Sequence, residues 1–275
     1  MPRIEYHIYE AGHCTHPECA TRRGASLAPI AYPALAFLLH HPQQGRVLFD
    51  TGYSEHFLDA TRHFPERLYR AVTPVHLGAE EPLRVQLQRD GVTPGDIGHV
   101  VLSHMHGDHL GGLRDFPGAA LICSREAWED MRTRSRLGSL KRGLLPRLLP
   151  DDFLDRVSWI EDAPLRDLPA ALADFGAGHD LFGDGSLLAV SLPGHAAGHY
   201  GLLFDDPEDT PIFLVADAAW SSQAIREGVP PPALVTAWLG DTQVYRETLQ
   251  RLHKLGNATP SIRILPSHCN DWRLP

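Results

Sequence analysis

One stretch, Ser103-His104-Met105-His106-Gly107-Asp108-His109-Leu110-Gly111-Gly112, constrains this chain more than any other. It holds three imidazoles and a carboxylate within six residues. Such a set makes a poor surface and a worse core unless a cation compensates it. It follows His99-Val100-Val101-Leu102, an apolar run that reads as a buried strand. On extended chain, residues two apart project to one side, so His104 and His106 face together while Met105 faces the core. The turn at Gly107 brings Asp108 and His109 to the same mouth, and Gly111 and Gly112 allow tight backbone passage beside it. Imidazole with carboxylate suits a borderline divalent metal: zinc, iron, cobalt or manganese.

The rest of the chain reads as two strand-rich halves. In the first, Arg3–Tyr9 alternates, Ala34–Leu39 is apolar, and Arg46–Phe49 is a short buried strand ending at Asp50-Thr51-Gly52. Pro42 to Gly45 reads as a hairpin turn. Helical patterns are expected near Ser54–Arg70 and over Glu81–Asp90, with Leu83 and Leu87 in the core stripe. In the second half, Ser186–Leu192, Gly201–Phe204, Pro211–Ala216 and Ile262–Leu265 are strands, and Asp241 caps a helix running to about Leu255. Between the halves, about 124–183 reads as a helical insertion. From Arg125 to Pro150 it carries seven Lys/Arg and three acids, a net +4. A solvated insertion is the simpler reading, and a cover over the substrate is the other. Strand-rich halves with helices between them predict an α/β fold, two sheets face to face with helices outside, in one domain over 1–275.

Bulk properties bound the function. The formal charge of −9 argues against a general nucleic-acid binder, which needs a basic face to displace counterions. No apolar run approaches the roughly 18 residues of a membrane span, and Met1–Tyr6 lacks a secretory pattern, so a cytoplasmic location is expected. Cys14, Cys19, Cys123 and Cys269 lack zinc-ribbon spacing, and free thiols are expected. Histidine accounts for 17 of 275 residues, which directs attention to clusters. His13, His16, His40, His41, His76 and His179 fall outside any pattern and receive no role.

His104-Met105-His106-Gly107-Asp108-His109 resembles the HxHxDH signature of the metallo-β-lactamase superfamily, and the Gly-Gly that follows strengthens the likeness. The resemblance extends over nearly the whole chain. Asp50-Thr51-Gly52 looks like the family's early strand-ending aspartate, and Pro193-Gly194-His195-Ala196-Ala197-Gly198-His199 resembles its PGHTxGH element. Asp217 and His268 end strands where the family has its remaining ligands. The resemblance implies an αββα four-layer sandwich (the metallo-β-lactamase fold) and two divalent ions, zinc foremost, with iron, cobalt and manganese open. It implies that His104, His106 and His195 hold one ion and Asp108, His109 and His268 the other, with Asp217 bridging. His195 is preferred to His199 as the first histidine of its motif. Asp50 would orient a ligand histidine.

Two ions sharing a water lower its pKa toward neutrality, so a metal-dependent hydrolase without a covalent intermediate is expected. Asp108 would position the nucleophile and pass a proton to the leaving group. The chain most resembles the N-acyl-homoserine lactonase, quorum-quenching branch. Tyr32–Leu39 leads to Leu48–Gly52 as it does there, and His195 and Asp217 lie 22 residues apart. That branch implies a small ester or lactone as substrate, no membrane or nucleic-acid partner, and often a homodimer. One departure matters: the branch carries a tyrosine three residues after the bridging aspartate, whereas this chain has Trp220. Trp220 and Tyr200 become candidates for the substrate pocket, and Tyr200 or Tyr53 for replacing the hydroxyl. The runner-up is a thioesterase or other ester hydrolase, with Arg132–Arg147 holding a phosphate-bearing carrier such as coenzyme A. A phosphodiesterase, a mono-iron dioxygenase and a metal-binding protein without turnover rank lower.

Overall fold

A computed structural model describes residues 2–273. Among the described residues, thirteen strands form two sheets. The first has the order β4-β1-β2-β3-β5-β6-β7. Its strands are β1 Glu5–Pro17, β2 Pro29–His41, β3 Gly45–Phe49, β4 Val75–His76, β5 Ile97–Val101, β6 Ala120–Cys123 and β7 Val157–Trp159. The second has the order β13-β12-β11-β10-β9-β8. It comprises β8 Leu165–Asp167, β9 Ala177–Asp180, β10 Leu188–Ser191, β11 Tyr200–Asp205, β12 Pro211–Ala216 and β13 Arg263–Pro266.

Period-two alternation explains the layering. In β2, Leu35, Phe37 and Leu39 point between the sheets, where they meet Ala189, Leu202, Phe204 and Leu214. Ala34, Ala36 and Leu38 point the other way, into a core shared with Phe57, Leu83 and Leu87 of the outer helices. On the second sheet, Leu203, Phe213 and Val215 turn outward onto Leu249, Leu252 and Leu255 of the helix Thr242–Ala258. Asp241 caps that helix through the Gln243 and Val244 amides, at 2.9 and 3.0 Å. Helix, sheet, sheet and helix are therefore stacked as the expected αββα sandwich.

Two expectations need correction. The Ser54–Arg70 pattern is two helices, Glu55–Ala60 and Arg67–Val72. Pro65 lacks an amide proton and disfavours helical backbone at the residue before it. The segment 124–183 is α-helical only in its first part, with Arg125–Thr133, Arg136–Lys141 and Phe153–Arg156, and later holds only short 3-10 turns such as Ala170–Phe175. Beyond it, β7 joins the first sheet parallel to β6, and β8 and β9 extend the second. Strands of three or four residues are too short for alternation to reveal them. The four cysteines are free thiols. Among the described residues no helix is long and apolar enough to cross a membrane.

The topology brings the chemistry-bearing residues to one edge. β3 runs parallel to β5, and β12 parallel to β13. Their C-terminal ends deliver Asp50, His104, Asp217 and His268 to the same side. Two backbone bonds tie the sheets together there: Leu35 N to Ser267 O at 3.0 Å, and Tyr200 N to Ser103 O at 2.9 Å.

Candidate metal centre

The loop after β5 is held against the loop after β3 by an interlocked set of bonds. The Thr51 amide donates to His109 O at 2.7 Å, and the Thr51 hydroxyl donates to the same oxygen at 2.9 Å. The Gly112 amide donates to Thr51 Oγ1 at 3.1 Å. A Cβ on Gly111 would lie 2.5 Å from Gly52 O, so the approach requires glycine. This contact carries Asp50 to His109. Asp50, fully buried, accepts from the Ser103 amide, the Ser103 hydroxyl and His109 Nδ1, each at 2.8 Å.

The donor atoms fall into two sets, each with its atoms within 4.8 Å of one another: His104, His106, His195 and Asp217, and then Asp108, His109 and His268. Asp217 lies between them. Its Oδ2 is 3.1 Å from His195 Nε2, while its Oδ1 is 3.2 Å from His268 Nε2 and 3.4 Å from His109 Nε2. Asp108 Oδ2 approaches His268 Nε2 at 3.2 Å and His109 Nε2 at 3.8 Å. The outer nitrogens are occupied: His109 Nδ1 by Asp50, His268 Nδ1 by the Pro33 carbonyl at 2.6 Å, and His104 Nδ1 by the Ser103 hydroxyl at 3.0 Å. Such partners fix the ring orientation and leave Nε2 facing inward.

The residues fit divalent cations on an observation independent of any motif. Among the described residues, His104 Nε2, His109 Nε2 and Asp217 Oδ1 are buried and find no hydrogen-bond partner. An unpaired buried polar atom costs about 1–3 kcal/mol, and three in one cluster need a common partner. Protonation adds to the picture. Burial and the neighbouring imidazoles push His104 far below its ordinary range and His106 down to about 3, which leaves these rings neutral and able to donate lone pairs. Burial also works against a charge on His109, but the carboxylates of Asp50, Asp108 and Asp217 outweigh it and raise the pKa to about 10. His268 is raised well above its ordinary value in the same way, against its burial, by Asp217 and Asp108. Without an ion, protons therefore occupy the second donor set at pH 7. We expect ion binding to the metal-free protein to release at least one proton, and affinity to rise with pH toward about 10. Calorimetry of zinc binding in buffers of different ionisation enthalpy reads this release. An enthalpy independent of the buffer would refute it.

The structure gathers His104, His106, Asp108, His109, His195, Asp217 and His268, with Asp50 behind them. His199 stands outside both sets. Its Nε2 accepts from the Asp217 amide at 3.2 Å, which supports the backbone where Ala216 adopts φ 45°. His199→Ala should therefore keep its metal content, measured by elemental analysis. Loss of an ion in that variant, with retention in His195→Ala, would reverse the assignment. Trp220 does reach the centre, and its indole donates to Asp217 Oδ2 at 3.0 Å. Tyr200 does not. Its ring lies in the core between the sheets, 5.9 Å from His179, and burial with the Glu161 and Glu126 carboxylates pushes its pKa to about 12. The Tyr53 ring packs at 4.8 Å on Phe57, and its buried hydroxyl faces the Cys14 thiol, not the donor cluster.

Sequence reasoning passed over several neighbours. Ser103 braces both Asp50 and His104. His16, half-buried on β1, lies within electrostatic reach of His268 and Asp108. Tyr245, 6.4 Å from both the His195 and Trp220 rings, arrives from a helix fifty residues further along. None belongs to a spacing pattern, since a serine, a lone histidine and a helical tyrosine look like ordinary core residues.

Comparisons with known proteins agree with this geometry. A family model described as the metallo-beta-lactamase superfamily matches residues 30–268. The chain is 30% identical over 247 residues to an N-acyl homoserine lactonase AttM of Azorhizobium caulinodans, covering 89% of this chain and 84% of that protein. It is 32% identical over 200 residues to a probable metallo-hydrolase of Mycobacterium tuberculosis, covering 69% of this chain and 57% of the relative. Among solved structures, an N-acyl homoserine lactone hydrolase with the product N-hexanoyl-L-homoserine at its catalytic metal centre aligns with a TM-score of 0.71. The identity there is 19%, and coverage is 98% and 95% of the two chains. The dizinc quorum-quenching lactonase AidC aligns at 0.66 with 16% identity, covering 99% of this chain and 90% of that one. At such identities the structural likeness speaks for the fold, and the family match carries the kinship. The chain belongs to the metallo-β-lactamase superfamily.

Proposed function

We propose that this metal-dependent hydrolase opens the ring of N-acyl homoserine lactones or close relatives, using two divalent ions, zinc foremost. His104, His106 and His195 would hold one ion, Asp108, His109 and His268 the other, and Asp217 would bridge them. The observation that carries the reading is the split geometry of Asp217, one oxygen facing each histidine set. Its kinship with lactonases over most of the chain supplies the substrate class. Bound ions supply the Lewis acidity that makes water a nucleophile near neutral pH and polarises a carbonyl.

The chain's own groups do the rest. Burial opposes a charge on Asp108, but His109 and His268 hold its carboxyl below the usual range, so it stays an acceptor. It can orient water, take its proton and deliver that proton to the departing ring oxygen. Asp50 and Pro33 O keep two imidazoles aimed inward through the cycle. Trp220 restrains Asp217 instead of presenting a hydroxyl to the substrate. Trp220→Tyr removes that restraint and offers the hydroxyl found in related lactonases. We expect kcat/KM for a homoserine lactone to rise several-fold, since a well-placed donor is worth up to about 10²–10³ in rate. A fall in turnover would mean that the indole bond to Asp217 matters more.

The test of the assignment is a parallel kinetic comparison on metal-quantified protein with a homoserine lactone, an aryl ester, an acyl-CoA and a phosphodiester. Two ions per chain and preference for the lactone support the proposal. Preference for the thioester would move the function to the acyl-carrier reading.

A further inference from the structure

Trp220 stands where related lactonases carry a tyrosine, and its indole is engaged by Asp217 Oδ2, so that position offers no hydroxyl to a substrate. The chain has seven tyrosines, and the structure separates them. Tyr6 accepts from Arg263, Tyr9 donates to Asp90, and Tyr32 pairs with Thr21. Tyr200 lies between the sheets, Tyr53 is sealed against Cys14, and Tyr245 packs with Leu249 and Leu252 beneath its own helix. Tyr69 differs from all of these. It is half-buried, its hydroxyl has no hydrogen-bond partner among the described residues, and unlike that of Tyr53 the hydroxyl is not closed off. Its ring meets Phe57 edge-on at 5.3 Å, and Phe57 lies so close to Gly107 that a Cβ there would come within 2.9 Å. One ring therefore separates Tyr69 from the loop that carries Asp108. Glu66, just before the helix Arg67–Val72, is clamped to Arg136 by bonds of 2.6 and 2.7 Å, which fixes the helix that presents Tyr69.

We propose that the Tyr69 hydroxyl donates to the substrate carbonyl oxygen under attack, the task of the tyrosine that Trp220 replaces. The inference rests on the hydrolytic reading above and names the residue that stabilises the charge developing in it. Negative charge grows on that oxygen as water adds, and a donor already held in place needs no reorganisation at that moment. The hydroxyl is within electrostatic reach of Asp108 and of Asp217, the carboxylate between the two donor sets. His16, also half-buried, senses His268 and Asp108, on the side of the second set. Burial above all, then Asp108, the Cys14 thiol and Asp217, raises the Tyr69 phenol well above its ordinary value, so it remains a donor at neutral pH.

Tyr69→Phe keeps the ring and its contact with Phe57 and removes only the hydroxyl. On metal-quantified protein it should lower kcat by about tenfold or more for a homoserine lactone and for an aryl ester alike, with KM, metal content and melting temperature unchanged. The aryl ester keeps the two readings apart. A parent protein that ignores the lactone refutes the substrate assignment, and Tyr69 is then judged on the ester, whose carbonyl needs the same donor. A double-mutant cycle sharpens the test. If both hydroxyls serve one oxygen, Trp220→Tyr should raise kcat by more in the Tyr69→Phe background than in the parent. A kcat for Tyr69→Phe within about twofold of the parent, a loss confined to KM, or equal gains from Trp220→Tyr in both backgrounds would each overturn the assignment.

Discussion

Asp217→Ala should lower kcat/KM for any accepted ester or lactone by on the order of 10³-fold or more, with a fall in bound metal. The expectation follows from how much converges on one carboxylate. Oδ2 faces His195 at 3.1 Å and accepts from Trp220 at 3.0 Å, while Oδ1 faces His268 and His109 at 3.2 and 3.4 Å. Removing it takes the shared negative charge from both histidine sets. The side chain is almost fully buried, so bulk water cannot readily replace it. Asp217→Asn separates charge from shape, since it keeps the volume and a donor-acceptor pair but loses the charge. It should retain the fold by circular dichroism and still lose most turnover. The check is steady-state kinetics paired with elemental analysis on the same preparation. Full metal content with turnover within tenfold of the parent would sink the bridging role.

The fold and the metal centre differ in how far residues alone reveal them. The donors could be found because each ends a strand or sits in a dense polar motif. His104 and His106 alternate about a buried Met105, and Asp50, Asp217 and His268 follow apolar runs that cannot be anything but strands. The four-layer arrangement followed from alternation, as in β2, whose odd and even residues enter different cores. What stayed hidden depends on three-dimensional neighbours with no local signature. The Pro33 carbonyl that orients His268 comes from 235 residues away, and a backbone oxygen leaves no mark in a sequence. Tyr200 was attractive only because it adjoins His199 in the chain. Strand alternation turns its ring into the space between the sheets. The strands β7, β8 and β9, three or four residues each, are too short to show a period, so the helical pattern of the preceding residues masks them. The arginines showed only a basic segment. The fold showed that four of them rim one cavity.

Asp50→Ala should weaken metal binding by roughly 10–100-fold, with the loss confined to the ion expected at Asp108, His109 and His268. Asp50 touches no ion in this reading. It accepts from His109 Nδ1 and from the amide and hydroxyl of Ser103, all at 2.8 Å. Its effect therefore passes through His109, whose Nδ1 proton it retains so that Nε2 can offer a lone pair. Asparagine makes the sharper test. Asp50 adopts φ 60°, a left-handed conformation that asparagine tolerates and alanine pays about 1–2 kcal/mol to enter. Asp50→Asn can still accept from the Ser103 amide through its carbonyl, so the backbone is kept. Its amide group then meets His109 Nδ1 as a donor, which turns Nδ1 into the acceptor and moves the ring proton to Nε2. A protonated Nε2 cannot bind a cation. Asp50→Asn should thus be at least as damaging to metal affinity as Asp50→Ala while unfolding at a higher temperature. Competition with a calibrated chelator measures the first quantity and thermal melting the second. If Asp50→Asn bound both ions like the parent, Asp50 would be a scaffold for Ser103 alone, and the proton on His109 would be controlled elsewhere.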